Sequence, residues 1–90
     1  MRIAATLVLA LLLPGGALAD RQAADACAAG LPSSPKQIYD GTVAGNPTPA
    51  TARDAVVAQT KKLVSQGKLS MSNARPAGEA AGNCVKLLFE

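Results

Sequence analysis

The sequence predicts a small all-α domain, a bundle of three to four short helices cross-linked by one disulfide between Cys27 and Cys84. Beyond residue 19, fourteen of the 71 remaining residues are alanine, the strongest helix former. The apolar side chains recur with helical spacing, and no segment has the long alternation typical of a β-sheet. The two cysteines lie near opposite ends of this part of the chain, so a bond between them would enclose almost all of it.

The first nineteen residues have the three-part pattern of a secretory signal peptide. A positively charged start is followed by eleven apolar or small residues (3–13), a helix-breaking Pro-Gly-Gly, and the small residues Ala17 and Ala19. The alternative, a membrane anchor, would need about 20 apolar residues. We therefore expect cleavage after Ala19, export to the periplasm or the exterior, one domain over 20–90, and no transmembrane span in the mature chain.

Cys27 and Cys84 are expected to pair because an exported chain meets oxidising conditions. The mature chain has only fourteen large apolar side chains, and chains this small usually need a covalent cross-link. Closing a loop of about 58 residues is expected to stabilise the fold by about 4 kcal/mol. A redox enzyme would be expected to carry Cys-x-x-Cys, which is absent, whereas a bond between two chains stays open as an alternative.

The first helix is predicted to be short, over about 20–29. Ala23, Ala24, Cys27 and Ala28 fall on one face at helical spacing. Gly30, followed by Leu31-Pro32, is a typical stop signal. Cys27 is therefore expected on the face that packs against the rest of the domain.

A capping box predicts the start of the second helix. Ser34 is the expected cap, Pro35 suits the first helical position, and Gln37 completes the box. The apolar stripe of this helix begins at Ile38. A Gly-Asn-Pro sequence ends the helix near Ala44.

The third helix, over about 50–66, has the clearest amphipathic pattern. Thr48 or Thr51 is expected to cap it, and Gly67 suits the position just past its end. Its apolar sector spans about 140° at 100° per residue. The members of the sector, all expected in the core, are Ala52, Val56, Val57, Thr60, Leu63 and Val64.

The last helix is predicted to start at Ser72 or at Ala77, an ambiguity caused by Pro76, and to run to Phe89. A brief extended stretch over 69–71 is expected before it. The burial or exposure of Phe89 stays undecided. The helix has a clear apolar stripe formed by Ala77, Ala81, Cys84 and Leu88.

The residues that usually carry enzyme chemistry are scarce. The sequence contains no histidine, the commonest general base and metal ligand. Its carboxylates are scattered along the chain, and no phosphate-binding loop, haem motif or calcium loop is present. We therefore expect no enzymatic activity, no catalytic residue, and neither a cofactor nor a metal site.

Lys61, Lys62 and Lys68 form the densest basic cluster on the chain and suggest a contact with an anionic partner: nucleic acid, phospholipid or an acidic protein. The alternative is a solvated helix face near a C-terminus, where lysine is favourable. Loss of Arg2 with the leader leaves eight basic and six acidic residues, a net charge of only +2. Weak charge and the shortage of aromatic side chains for base stacking argue against nucleic acid.

The function expected from these features is that of a small, exported, non-enzymatic module of the cell envelope. Its role would be protein interaction or a chaperone-like activity, with an unknown protein partner or through self-association. In overall plan the chain is similar to small exported acid-stress chaperones, which are short, all-helical and carry one long-range disulfide; the likeness concerns architecture only. The alternative is anion binding through the lysine cluster on the third helix.

Overall fold

The computed structural model describes residues 15–90, with four α-helices and a closing 3₁₀ helix. No strand occurs in this range, which confirms the small all-α bundle predicted from the sequence. The elements are α1 (Gly15–Ala29), α2 (Ser33–Ala44), α3 (Ala52–Ser65), α4 (Met71–Lys86) and the 3₁₀ helix Leu87–Phe89.

The core lies where α2 packs against α3 and α4, while α1 covers one side and contacts the 3₁₀ helix. Its large buried side chains are few, and alanines fill the remaining positions of the packed faces. This composition lets the helices approach closely, because alanine adds little bulk between two backbones. The buried side chains of this apolar core are those of Ala24, Ala28, Ile38, Tyr39, Val56, Leu63, Leu69, Ala77, Ala81, Cys84 and Val85.

The disulfide between Cys27 and Cys84 joins α1 to α4, with 5.4 Å between the two Cα atoms. This pairing confirms the prediction that one long-range cross-link holds the bundle together. Cys84 is fully buried on the packed face of α4, as its stripe predicts. Cys27 is only partly buried, at the edge of the same core.

The first helix is longer than expected, because α1 begins at Gly15 and continues through Ala19 and Asp20. Alanine and leucine favour the helix here, and Gly15 and Gly16 each disfavour it by only about 1 kcal/mol. Residues 1–14, which make up most of the predicted leader, lie outside the described residues.

The start of α2 differs from the predicted capping box. Pro32, in extended conformation, occupies the cap position, and it provides no side-chain hydrogen bond. Gln37 instead donates from Nε2 to the Ser33 hydroxyl, at 3.2 Å. The helix tolerates Pro35 in its first turn because a backbone N–H there has no intrahelical partner.

At the start of α3, Thr51 occupies the cap position, as predicted, but its side chain makes no capping hydrogen bond to the helix. The backbone N–H of Thr51 donates to the Thr48 hydroxyl at 3.2 Å, and that of Thr48 donates to the Thr51 hydroxyl at 2.9 Å. This reciprocal pair fixes the turn that leads into α3.

Helix α4 begins at Met71 and includes Pro76, so the earlier of the two predicted starts is nearly right. The predicted extended stretch is reduced to a bend and one extended residue, Ser70. Pro76 lacks the N–H that would reach the Ser72 carbonyl, so α4 loses one hydrogen bond. Burial of Ala77 just beyond it keeps the helix continuous on the core.

Candidate functional site

A groove of about 1010 Å³ runs along the outer side of the α3–α4 pair. The connection 66–70 is short, so α4 folds back along α3 and the two helices form the walls of the groove. A second concavity, of about 480 Å³, lies beside Pro32 and is lined by no charged residue. The larger cavity, between α3 and α4, combines apolar and charged side chains and is referred to simply as the groove.

Small residues form the α4 side of the groove floor. Gly78 is closely covered, because a Cβ atom there would lie 3.2 Å from the Thr60 hydroxyl oxygen. A Cβ atom at Gly82 would meet no atom within 4 Å. The Thr60 hydroxyl donates to the Val56 carbonyl at 2.8 Å, so its hydrogen-bonding capacity is used within α3. The groove is therefore open to an occupant beside Gly82.

Exposed large apolar side chains gather in this groove. Among residues 19–90, Val57, Met71 and Phe89 are the exposed ones, with 43%, 77% and 37% of their surface accessible, and all three line the groove. Phe89, which the sequence left undecided, is thus half-exposed at one end. The expectation that Val57 belongs to the core is wrong: it lies at the edge of the apolar sector, and α2 and α4 cover only the centre, around Val56 and Leu63.

The two rims of the groove differ in charge. Along α3 lie Arg53 and Lys61, neither of which makes an ion pair in the part of the chain that the structure describes. Along α4, Arg75 pairs with Glu79 at 3.4 Å. Lys86 and Glu90 follow on the same side, which makes the α4 rim mixed in sign.

The three lysines of the predicted cluster differ in their position relative to the groove. Lys61, Lys62 and Lys68 are all exposed, but only Lys61 lines the groove. Lys62 lies in the last turn of α3 and Lys68 in the connection to α4. In the folded chain, Lys61 lines the groove together with Arg53, Arg75 and Lys86.

A polar contact holds α1 against α2, away from the groove. The Tyr39 hydroxyl donates to Asp25 Oδ1 at 2.7 Å, and Arg21 Nε donates to the same carboxylate at 3.1 Å. The hydrogen bonds from Tyr39 and Arg21 lower the pKa of the Asp25 carboxyl below its usual value. Burial, together with the bond to Asp25, raises the pKa of the Tyr39 hydroxyl. This arrangement satisfies a buried phenol, and its three residues do not line the groove.

Among the described residues, no group of three or more histidine, cysteine or acidic side chains lies close enough together to hold a metal ion. Over the same residues, none of the helices combines the length and the apolarity needed to cross a membrane.

Comparison of the chain with protein-family models, curated proteins and solved structures finds no match.

Proposed function

We propose that this protein is a non-enzymatic interaction module of the cell envelope that binds an apolar segment of another protein in the groove between α3 and α4. The observation that carries the proposal is the gathering of Val57, Met71 and Phe89 in that one groove. Exposed apolar surface bordered by polar residues is typical of protein interaction sites. A floor that is open beside Gly82 supports the same conclusion, since an incoming backbone has room there.

Two further features support the exported, non-enzymatic part of the proposal. The disulfide is a type of bond that persists in oxidising compartments, which fits a leader over residues 1–19. The absence of histidine from the sequence fits a binding role better than acid–base catalysis.

A neutral amphipathic peptide tests the groove. The probe is a helical peptide with leucines at helical spacing and glutamine elsewhere, and binding to the oxidised full chain is followed by fluorescence anisotropy. We expect the double variant Val57→Ser/Phe89→Ser to weaken binding by about tenfold or more, because both side chains would be covered by the peptide.

The matched control for this experiment is Ala58→Ser, which changes an exposed α3 residue outside the groove. It should bind the peptide as the unmodified protein does, and both proteins should keep their affinity at high salt. Equal affinity of the double variant and the unmodified protein would overturn the proposal.

A second candidate is anion binding through Lys61, Lys62 and Lys68. It is favoured by their exposure and by their lack of ion pairs within residues 15–90. Polyphosphate is a suitable probe: its affinity should fall steeply with salt and should be lost in the triple Lys→Gln variant. Retained polyphosphate binding in that variant would exclude this cluster as the anion site.

A further inference from the structure

The α3 rim, formed by Arg53, Val57 and Lys61, carries a charge pattern that is specific enough to describe an occupant. The three residues follow one another at every fourth position, so they lie along one line of the helix surface. All three are exposed, and both cations are without an ion pair in the described residues. At 1.5 Å per residue, the two cations are separated by about 12 Å along the helix axis.

The opposite rim balances its own charges. On α4, Arg75 is neutralised by Glu79 at 3.4 Å, and Lys86 is accompanied in the groove lining by Glu90. An occupant therefore meets a basic wall on the α3 side and a wall without net charge on the α4 side. This asymmetry would attract acidic side chains to one flank of the occupant only.

From this geometry we propose that the groove binds an amphipathic helix of a partner protein, whose acidic flank pairs with Arg53 and Lys61. The inference builds on the proposed function and specifies the partner's chemistry. The apolar stripe of the partner helix covers Val57 and Phe89 and lies over the open floor at Gly82. Two carboxylates seven or eight positions apart on that helix are spaced by about 11–12 Å, matching the two cations of the α3 rim.

The length of the groove suits an occupant of several turns. Its wall on the α4 side extends from Met71, at the start of α4, to Phe89 in the 3₁₀ helix. Helix α4 alone has 16 residues, which is about 24 Å of helix. A partner helix of about the same length would use both ends of the groove. The glycine at position 82 would allow its backbone to approach α4 closely.

A second copy of this chain fits the groove poorly. None of the helices in the described residues carries two carboxylates seven or eight positions apart: α1 has Asp20 and Asp25, and α2, α3 and α4 have one each. A lipid surface would attract the exposed Lys62 and Lys68 as well as the rim cations, and it would therefore not be specific to the groove, which Lys62 and Lys68 do not line. The observations therefore favour a different, acidic helical partner.

Three peptides of about 16 residues, the length of α4, test this inference. They share one leucine stripe, and they carry glutamate, glutamine or lysine at the two flanking positions. At low salt, we expect the glutamate peptide to bind the oxidised full chain about fivefold more tightly than the glutamine peptide, and the lysine peptide to bind most weakly. High salt should remove most of this difference.

Matched variants locate the effect on the α3 rim. Arg53→Gln/Lys61→Gln should abolish the preference for glutamate, so that the glutamate and glutamine peptides bind this variant equally well. Lys62→Gln/Lys68→Gln removes the same charge outside the groove and should keep the preference. Gly82→Leu should block all three peptides while its thermal midpoint stays at or above that of the unmodified protein.

The possible failures are distinguishable. Binding of the glutamine peptide without any preference for glutamate would overturn the inference alone, and so would a preference that survives Arg53→Gln/Lys61→Gln. Failure of every peptide to bind would overturn the proposed function as well. Binding to phosphatidylglycerol vesicles but to no peptide would assign the surface to lipid. A dimer that Gly82→Leu dissociates in sedimentation equilibrium would assign it to a second copy.

Discussion

Replacing Cys27 and Cys84 together by alanine removes the covalent link between α1 and α4 and tests how far the fold depends on it. The two residues are 57 positions apart, so the bond closes nearly the whole described domain into one loop. Loop-closure entropy for that length is about 14 cal/mol/K, or about 4 kcal/mol at 25 °C. A further loss is expected at Cys84, which is fully buried, because alanine leaves the volume of its sulfur empty.

This loss is large compared with the stability that such a domain usually has. A single core in a chain below about 80 residues rarely supplies more than 3–5 kcal/mol. We therefore expect the double variant to lower the thermal midpoint by about 15–30 °C. Circular dichroism at the helix band, recorded during heating and in urea, would measure the change.

Reduction of the unmodified protein provides the matched control. Treated with a thiol reductant, it should lose most of the same stability and melt at or somewhat above the midpoint of the double variant, because both lack the bond but the reduced protein keeps the buried Cys84 sulfur. A midpoint within a few degrees of the oxidised protein would refute the argument from loop entropy. Titration of two free thiols per chain in the purified protein would refute the pairing itself.

Other predictions concern single side chains. Thr42→Val should raise the free energy of unfolding by about 1–2 kcal/mol in urea titrations, because the buried Thr42 hydroxyl has no hydrogen-bond partner in the described residues. The matched change Thr60→Val, which deletes a satisfied hydroxyl, should not stabilise the protein. Gly82→Ala should raise the melting midpoint by a few degrees, equivalent to about 1 kcal/mol, because the added methyl group favours the helix and meets no atom. The pKa of the Asp25 carboxyl is lowered in the folded protein, so this group stabilises the fold above its usual pKa of about 4. That contribution should disappear as the pH falls through the folded-state pKa. Asp25→Asn should remove this acid dependence. The raised pKa of Tyr39 should likewise destabilise the fold above about pH 10, a loss that Tyr39→Phe should abolish in melting curves.

The sequence was most informative about the faces of the helices. Alanine and cysteine spacing placed Cys84 in the middle of a buried stripe, and the structure buries it fully. The start of α4 could not be decided locally, because Pro76 is a typical helix breaker. Packing of the following turn, around Ala77 and Ala81, extends the helix through Pro76 to Met71.

The groove was harder to predict because it depends on which part of an apolar stripe a neighbouring helix covers. Val57 and Val56 are adjacent in sequence and share one predicted sector, yet only Val56 is buried. Helical periodicity shows which face of α3 is apolar, but it does not show how much of that face α4 covers. Lys61 shows the same limit of prediction from sequence. The nearby lysines in the sequence are Lys62 and Lys68, whereas the cations that share the groove with Lys61 are Arg53 on α3 and Arg75 and Lys86 on α4.

The spacing of the two cysteines has a consequence for the order of events during synthesis. Cys27 leaves the ribosome early, and its partner follows only after another 57 residues. The bond can therefore form only when α2, α3 and nearly all of α4 have already been made. Until then the chain lacks this covalent restraint. Oxidation therefore acts on a chain in which nearly all of the described helices have been synthesised.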